Sequence, residues 1–297
     1  MNEANPTPRQ RLRARLTRGP MIVAPGIYDA YGARFVEQAG YDAVYMTGNG
    51  VSASLLGRPD VGLVDLTLFA SHAHRAAACV RIPLICDADT GYGNAVNVRH
   101  TVQEFEAAGV AAIHIEDQVS PKRCGHLPGS RPVVDMNEQV GKIEAAVAAR
   151  RDPDFLIIAR TDAAAGQGLS EAIRRGQAYS KAGADIVFVE LKSNPNTHEE
   201  LKRVTGEIDA PCLVNVEEAG TLGDYTAAQL EAMGFRMAIY PGLARNAAGF
   251  GIRHALGALK RDGNTRGARS QMLTFKEYNE VLDLSDVEAW ERRFLQR

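Results

Sequence analysis

The 297-residue sequence lacks several features that mark particular classes of protein. Its four cysteines, Cys79, Cys86, Cys124 and Cys212, form no CxxC pair and are too scattered for a disulfide framework. No window approaches the ~18 apolar residues that a membrane span requires. The formal net charge is only −2, from 34 Lys+Arg against 36 Asp+Glu, so no basic surplus is available to neutralise phosphates. These absences argue against disulfide-rich, membrane-spanning and nucleic-acid-binding proteins.

The start of the sequence has no recognisable signal peptide. The first 20 residues carry five arginines but no apolar stretch of signal-peptide length, so we predict a cytoplasmic protein. A transit peptide is the alternative, because such peptides are also rich in arginine and poor in acidic residues. Leu12 and Leu16 lie four residues apart among these arginines, a spacing that predicts a first helix on the surface.

The sequence does contain a repeating pattern of short apolar runs. Four runs follow a helix-like segment that ends in Gly, a residue suited to the position just after a helix. The other four follow a proline, which ends a helix and is tolerated at the first residue of a strand. The runs are continuous rather than alternating, which is typical of strands buried on both faces of a parallel sheet. In chain order they are Met21–Ala24, Ala43–Met46, Leu84–Cys86, Ala111–Ile115, Phe155–Ala159, Ile186–Val189, Cys212–Val216 and Met237–Tyr240.

Eight such strands alternating with helices predict a single α/β domain over 1–297, a (β/α)8 TIM barrel. A doubly wound open sheet is the alternative, but no GxGxxG motif follows the first run. The segment 261–297 is surplus to a bare barrel and carries aromatic residues such as Phe275 and Trp290. We expect this helical extension either to pack on a neighbouring subunit or to cap the base of its own barrel.

Polar residues directly follow seven of the eight runs, at the edge of a barrel where active sites lie. Among them, Asp87, Asp89 and Glu116 would repel one another without a nearby cation. A hard divalent metal supplies that charge, and Mg²⁺ fits best because it takes only one or two carboxylates directly, with Mn²⁺ as a substitute. A salt-bridge network is the alternative. Zinc is disfavoured, because Cys124 and His126 have no second Cys/His pair to complete a tetrahedral site.

A second candidate feature is the loop 118–135, which follows the fourth run. It contains Cys124, flanked by a lysine, an arginine and a histidine that favour a thiolate, so we expect the pKa of this thiol to fall. Gly125 and a later Pro-Gly pair would let the loop close over the mouth of the barrel. The other three cysteines fall in predicted strands or helices and are interpreted as packing residues.

Three motifs, Asp87–Gly93, Ile115–Gln118 and Lys122–His126, resemble the isocitrate lyase/phosphoenolpyruvate mutase superfamily in their order and spacing. The likeness runs from about Val23 to Leu259. It is strongest to the short lyases of methylisocitrate and 2,3-dimethylmalate and to the oxaloacetate acetylhydrolase group. The resemblance implies a Mg²⁺-dependent carbon–carbon lyase that converts a di- or tricarboxylate, a 2-substituted malate or 2-methylisocitrate type, to a 2-oxo acid (pyruvate) and a carboxylate. It also implies a homotetramer in which the last barrel helix packs on a neighbouring subunit.

The resemblance assigns roles to individual residues as well. Cys124 would be the general acid that protonates the departing fragment, and Arg160 would bind the carboxylate that stays with the 2-oxo acid. Tyr45 is a candidate for deprotonating the 2-hydroxyl, with a packing role as the alternative. The metal residues would be Asp87, which holds Mg²⁺, and Asp89 and Glu116, which act through water. The substrate-binding residues would be Thr47, Gly48, Asn49, Asp60, Lys122, Gly125, His126, Glu190, Asn215 and Pro241.

The sequence departs from these relatives at Asn49, at 216–220 and at 242–244, positions expected to shape the pocket for the departing half of the substrate. The departing half therefore stays open. Phosphorus–carbon chemistry of the phosphonopyruvate or carboxyphosphonoenolpyruvate mutase type is one alternative reaction, and oxaloacetate hydrolysis or decarboxylation is another. The loop cysteine weighs against phosphonopyruvate mutases and hydrolases, which typically lack it. A barrel that serves only as a scaffold is disfavoured, because every metal carboxylate is retained.

Overall fold

Eight parallel strands close into one barrel in the computed structural model, which describes residues 5–125, 127, 131–218 and 220–295. Each strand pairs with the next, and the last closes the ring on the first, with Ile22 beside Met237. The predicted barrel is therefore confirmed and the open sheet is wrong. The strands are β1 (Ile22–Ile27), β2 (Val44–Met46), β3 (Leu84–Asp87), β4 (Ala112–Glu116), β5 (Leu156–Thr161), β6 (Ile186–Val189), β7 (Cys212–Asn215) and β8 (Phe235–Tyr240).

Helices fill the connections between these strands, and polar side chains cap several of their first turns. Asp65 and Asn94, for example, accept hydrogen bonds from backbone N–H groups that a helix start leaves unpaired. Two short 3₁₀ helices span Thr221–Asp224 and Arg266–Gln271. The α-helices are α1 (Pro8–Arg18), α2 (Ala30–Gln38), α3 (Gly48–Leu56), α4 (Leu66–Cys79), α5 (Ala95–Ala107), α6 (Met136–Ala149), α7 (Ala164–Gln167), α8 (Leu169–Lys181), α9 (Thr197–Glu207), α10 (Ala227–Ala232), α11 (Leu243–Asp262), α12 (Phe275–Val281) and α13 (Leu284–Phe294).

The first helix closes the base of the barrel. Leu12 and Leu16 are 1% and 4% exposed and belong to the same apolar cluster as barrel-interior residues such as Ile158 and Met237. The predicted first helix is confirmed, and its two leucines fill the end of the barrel. Arg9 and Arg13 are half-buried beside them and pair with Asp152 and Asp185.

The C-terminal helices extend the barrel, as predicted, and over the described residues up to 295 they lie away from its base, which α1 closes. Helix α12 rests on α2, where the rings of Tyr31 and Tyr278 are 5.7 Å apart. Helix α11 buries only Ala258 and leaves a row of large apolar side chains exposed, among them Phe250 and Leu256. No helix in the described part of the chain is both long enough and apolar enough to cross a membrane.

Candidate active site

The carboxyl ends of the strands surround a cavity of about 330 Å³, within the range of small-molecule sites. It brings together most of the predicted site residues. Gly48 and Asp89 lie beside the cavity, where Gly48 contacts Asp87 and Asp89 contacts Lys122. His126 lies outside the described residues. The predicted residues that line the cavity are Tyr45, Thr47, Asn49, Asp60, Asp87, Glu116, Lys122, Cys124, Gly125, Arg160, Glu190, Asn215 and Pro241.

Asp87 ends β3 and lies against the first turn of α3. Its Oδ2 accepts a hydrogen bond from the Gly48 N–H at 3.2 Å, and its Oδ1 accepts one from the Asp89 N–H at 2.9 Å. Burial alone would raise the pKa of Asp87, but His114, Lys122 and Arg160 together lower it to about 2. Because burial lowers the pKa of His114 to about 4, the charge that keeps Asp87 ionised at neutral pH comes from Lys122 and Arg160.

Lys122 reaches the carboxylates rather than remaining free in its loop. Its Nζ is 2.7 Å from Asp60 Oδ2 and 2.8 Å from Asp89 Oδ1, and all three side chains are buried. Burial would lower the pKa of Lys122, but the surrounding carboxylates raise it well above its usual value. Asp89 adopts a left-handed backbone conformation, φ 47°, at this point. Such a conformation is uncommon for a residue other than glycine and is often found at functional sites.

Arg160, at the end of β5, is held by three carboxylates. Asp162 accepts two hydrogen bonds from it, at 2.8 Å from Nε and 3.1 Å from Nη2, while Glu190 lies 3.1 Å and Glu116 3.3 Å away. The guanidinium also lies over the ring of Phe188, 4.9 Å from its centroid. The arginine therefore has a fixed plane and position at the cavity wall.

The carboxylates fit a hydrated Mg²⁺ better than a metal held by protein ligands alone. Among the described residues, no group of three or more His, Cys, Asp or Glu side chains is close enough together to hold a metal ion. Glu116 Oε1 is nevertheless buried without a hydrogen-bond partner in the described part of the chain, and burial raises the pKa of Glu116 well above its usual value. A cation that takes one carboxylate directly and reaches the others through water suits this arrangement.

Cys124 lies in the cavity wall, on a loop segment that is fixed at several points. Its Sγ accepts a hydrogen bond from Asn49 Nδ2 at 3.1 Å, and its N–H donates to the carbonyl of Asp60 at 3.0 Å. The side chain of Gln118 binds both the N–H and the carbonyl of Arg123, each at 3.0 Å. The thiol is therefore positioned by the loop and by α3 together.

Tyr45, in β2, is buried inside the barrel. Its hydroxyl lies 2.7 Å from His114 Nε2, and burial raises the pKa of Tyr45 well above its usual value. His114 Nδ1 is in turn 3.7 Å from Asp87 Oδ1. Tyr45 packs in the core and also borders the cavity, so its position is compatible with either of its predicted roles.

Four charged residues at this site, two arginines and two aspartates, were not assigned roles from the sequence. Arg131 is buried and donates a hydrogen bond to the carbonyl of Gly125, next to Cys124. Asp117 accepts hydrogen bonds from the Asp162 N–H and the Thr161 hydroxyl, at 2.9 Å and 2.7 Å, so it fixes the turn after Arg160. Arg245, in the first turn of α11, enters the cavity beside Asn49. Asp117 and Asp162 carried a signal as polar residues at strand ends, whereas Arg131 and Arg245 carried none.

Comparisons with known proteins agree with this geometry. A sequence model of the phosphoenolpyruvate phosphomutase family matches residues 12–259. The 2,3-dimethylmalate lyase of Eubacterium barkeri is 45% identical over 284 residues, which cover 96% of this chain and 97% of the relative. The 2-methylisocitrate lyase of Shewanella oneidensis is 39% identical over 264 residues, 89% of each chain.

Solved structures give the same result. An oxaloacetate acetylhydrolase bound to 3,3-difluorooxalacetate superposes with a TM-score of 0.90 at 35% identity and covers 96% of each chain. A phosphonopyruvate hydrolase bound to oxalate and Mg²⁺ superposes with a TM-score of 0.88 at 35% identity, over 98% of this chain and all of the other. The chain therefore belongs to the phosphoenolpyruvate phosphomutase family of the isocitrate lyase superfamily, and the prediction of an enzyme of the carbon–carbon lyase class is confirmed.

Proposed function

We propose that this enzyme is a Mg²⁺-dependent lyase that cleaves the C2–C3 bond of a 2-substituted malate or 2-methylisocitrate-type substrate to pyruvate and a carboxylate. The observation that carries the proposal is the shared cavity of about 330 Å³, in which the carboxylates at one side face a fixed thiol, Cys124. The names of two relatives that match most of the chain, a 2,3-dimethylmalate lyase and a 2-methylisocitrate lyase, support the same reaction.

Asp87 would hold Mg²⁺ directly, with Asp89 and Glu116 reaching it through water. The bound ion supplies positive charge to the carboxylate and the adjacent oxygen that become the 2-oxo acid. Arg160 would bind that carboxylate as well, and Thr47 and Gly48 would provide further contacts from the start of α3. Mn²⁺ is the expected substitute because it accepts the same oxygen ligands.

Bond cleavage leaves an electron pair on C3, next to a carboxylate. The 2-hydroxyl loses its proton, the C2–O bond becomes a carbonyl, and the C2–C3 pair remains on C3 as an enediolate. Cys124 delivers the proton that this carbon needs, and solvent restores the thiol afterwards. General acid catalysis of this kind contributes about 10²–10⁴-fold to the rate. Asn49 donates to the sulfur, which favours the thiolate that the transfer leaves behind.

The proton of the 2-hydroxyl is assigned to Tyr45, which borders the cavity. Burial keeps this residue a neutral phenol at neutral pH, because its pKa is raised. It can accept the proton only if its own proton moves to His114 Nε2, 2.7 Å away, in the same step. Glu190, Asn215, Gly125 and Pro241 complete the binding surface, while Asp60 holds Lys122 in place. His126 is assigned to the substrate from the family resemblance alone, since it lies outside the described residues.

We further propose a cytoplasmic homotetramer in which the exposed apolar face of α11 packs on a neighbouring subunit, together with 261–297. Large exposed apolar patches mark interaction sites, and α11 leaves Phe250, Ile252 and Leu256 about 60% exposed. Light scattering coupled to size-exclusion chromatography measures the assembly. A monomer at micromolar concentration would contradict this proposal.

The test of the reaction is release of 2-oxo acid by the purified protein with Mg²⁺. The substrates are 2-methylisocitrate, 2,3-dimethylmalate, 2-ethylmalate, oxaloacetate and phosphonopyruvate. Cys124→Ser should lower kcat for a malate derivative by about 10²–10⁴-fold. Cys79→Ser is the matched control, because Cys79 lies in α4 and is not among the described residues that line the cavity. Turnover of oxaloacetate or phosphonopyruvate alone, unaffected by Cys124→Ser, would refute the proposal.

A further inference from the structure

One cation at the mouth of the barrel has no carboxylate partner among the residues that the structure describes. Three cationic side chains of the described residues line the cavity, namely Lys122, Arg160 and Arg245. Lys122 and Arg160 are each compensated by two or three carboxylates. Within the described part of the chain, no carboxylate oxygen lies within 4.0 Å of Arg245. Its only hydrogen-bond partners there are the neutral amides of Asn49 and Asn246.

The amide of Asn49 lies between Arg245 and the thiol of Cys124. Arg245 Nη1 donates to Asn49 Oδ1, and Asn49 Nδ2 lies 3.1 Å from Cys124 Sγ. A guanidinium has only donors, so Arg245 fixes which end of the amide faces the sulfur. The guanidinium is therefore separated from the sulfur by the three atoms Nδ2, Cγ and Oδ1 of one amide group.

The separation between the Cys124 sulfur and the Arg245 guanidinium defines which part of a substrate can reach Arg245. In the proposed reaction, C3 of the substrate lies next to Cys124 Sγ in order to receive its proton. The carboxylate attached directly to C3 is too close to that carbon to extend past the Asn49 amide. A carboxylate one methylene farther out, in a carboxymethyl group on C3, matches the amide in length and ends at the guanidinium. Arg–carboxylate pairs of this kind are strong and directional.

We propose that Arg245, oriented with Asn49, binds a carboxymethyl carboxylate on C3 and so selects tricarboxylates of the 2-methylisocitrate type. This inference rests on the proposed lyase function and specifies its departing half as succinate. Glu218 lines the same end of the cavity, with its carboxylate packed against Gly242. Without Arg245 the subsite would therefore repel a carboxylate rather than merely bind it less well.

The test uses two substrates that differ only at this group. 2-Methylisocitrate carries a carboxymethyl group on C3, and 2,3-dimethylmalate carries a methyl group there. Arg245→Met should lower the ratio of their kcat/KM values, tricarboxylate over dicarboxylate, by about 10- to 100-fold, with Arg245→Lys intermediate. Effects that reach Cys124 through Asn49 alter both substrates and cancel in the ratio. Circular dichroism and thermal unfolding check that the variants are folded.

A binding measurement makes the inference independent of turnover. Isothermal titration of the Mg²⁺-loaded protein should show succinate binding at least about 10-fold more tightly than propionate, and Arg245→Met should abolish the difference. A kcat/KM ratio within about twofold of wild type, or an equal loss for both substrates, would overturn the subsite. If wild type cleaves neither substrate, the lyase proposal fails separately, and the succinate titration still decides whether Arg245 binds a carboxylate.

Discussion

Replacing Asp162 by Asn should release Arg160 from its position and lower both stability and activity. Asp162 is fully buried and accepts two hydrogen bonds from Arg160, at 2.8 and 3.1 Å. The asparagine side chain keeps one oxygen acceptor, but its NH₂ group replaces the other oxygen and faces a guanidinium N–H, so one of the two hydrogen bonds is lost. Removing one partner of a buried ion pair costs about 3–5 kcal/mol. Arg160 retains Glu116 and Glu190, so we expect a loss of about 2–3 kcal/mol in the free energy of unfolding.

Denaturant unfolding followed by circular dichroism measures the stability change, as a lower midpoint at unchanged slope. The activity assay measures displacement of the guanidinium, for which we expect a fall in kcat/KM of about 10- to 100-fold. Asp152→Asn is the matched control. It removes an ion pair to Arg9 in which a third of the Asp152 side chain is exposed, and it should cost less than about 1 kcal/mol. A cost for Asp162→Asn as small as the control, with kcat/KM unchanged, would refute the positioning role.

Three further predictions concern other parts of the barrel. Gly48→Ala would place a Cβ 2.6 Å from Asp87 Oδ2, so isothermal titration should show that the affinity for Mg²⁺ falls by at least about 10-fold. Gly141→Ala is the control: its Cβ would meet nothing within 4 Å, so the affinity for Mg²⁺ should stay unchanged. Leu12→Ala should lower the free energy of unfolding by about 2–5 kcal/mol without altering kcat, because it opens a cavity at the end of the barrel opposite the site. A loss under about 1 kcal/mol would contradict the role of α1 in closing the base of the barrel. Burial raises the pKa of Cys212 to about 12, so this thiol should resist iodoacetamide at about pH 8 in the native protein and react in urea. Because folding raises the pKa of Cys212, the free energy of unfolding should fall as the pH rises above about 9. Labelling of Cys212 in the native protein would contradict the raised pKa.

The strands and the polar residues at their ends were predictable because both depend on local chemistry. Proline or glycine punctuates each apolar run, and a strand buried on both faces must be continuously apolar. Once the runs are identified as parallel strands of a barrel, their carboxyl ends must converge. Asp87, Glu116, Arg160 and Asn215 could therefore be placed at one mouth without knowing any contact between them.

The loops could not be predicted in the same way. Lys122 stands two residues from Cys124 in the sequence, which suggested that its charge acts on the thiol, but the fold turns its ammonium toward Asp60 and Asp89. Helix α1 looked like a surface helix because most of its residues are polar. Only closure of the barrel creates the apolar opening that Leu12 and Leu16 fill.

The sequence by itself determined the barrel, the order of its strands, the family and most of the residues around the cavity. The tertiary structure decided the contacts that give each residue its environment, such as Asp162 on Arg160 and Arg245 on Asn49, which is 196 positions away. The physical reason is that local propensity and hydrophobic pattern act along the chain, whereas the ionisation and orientation of a buried side chain depend on groups that only folding brings near it.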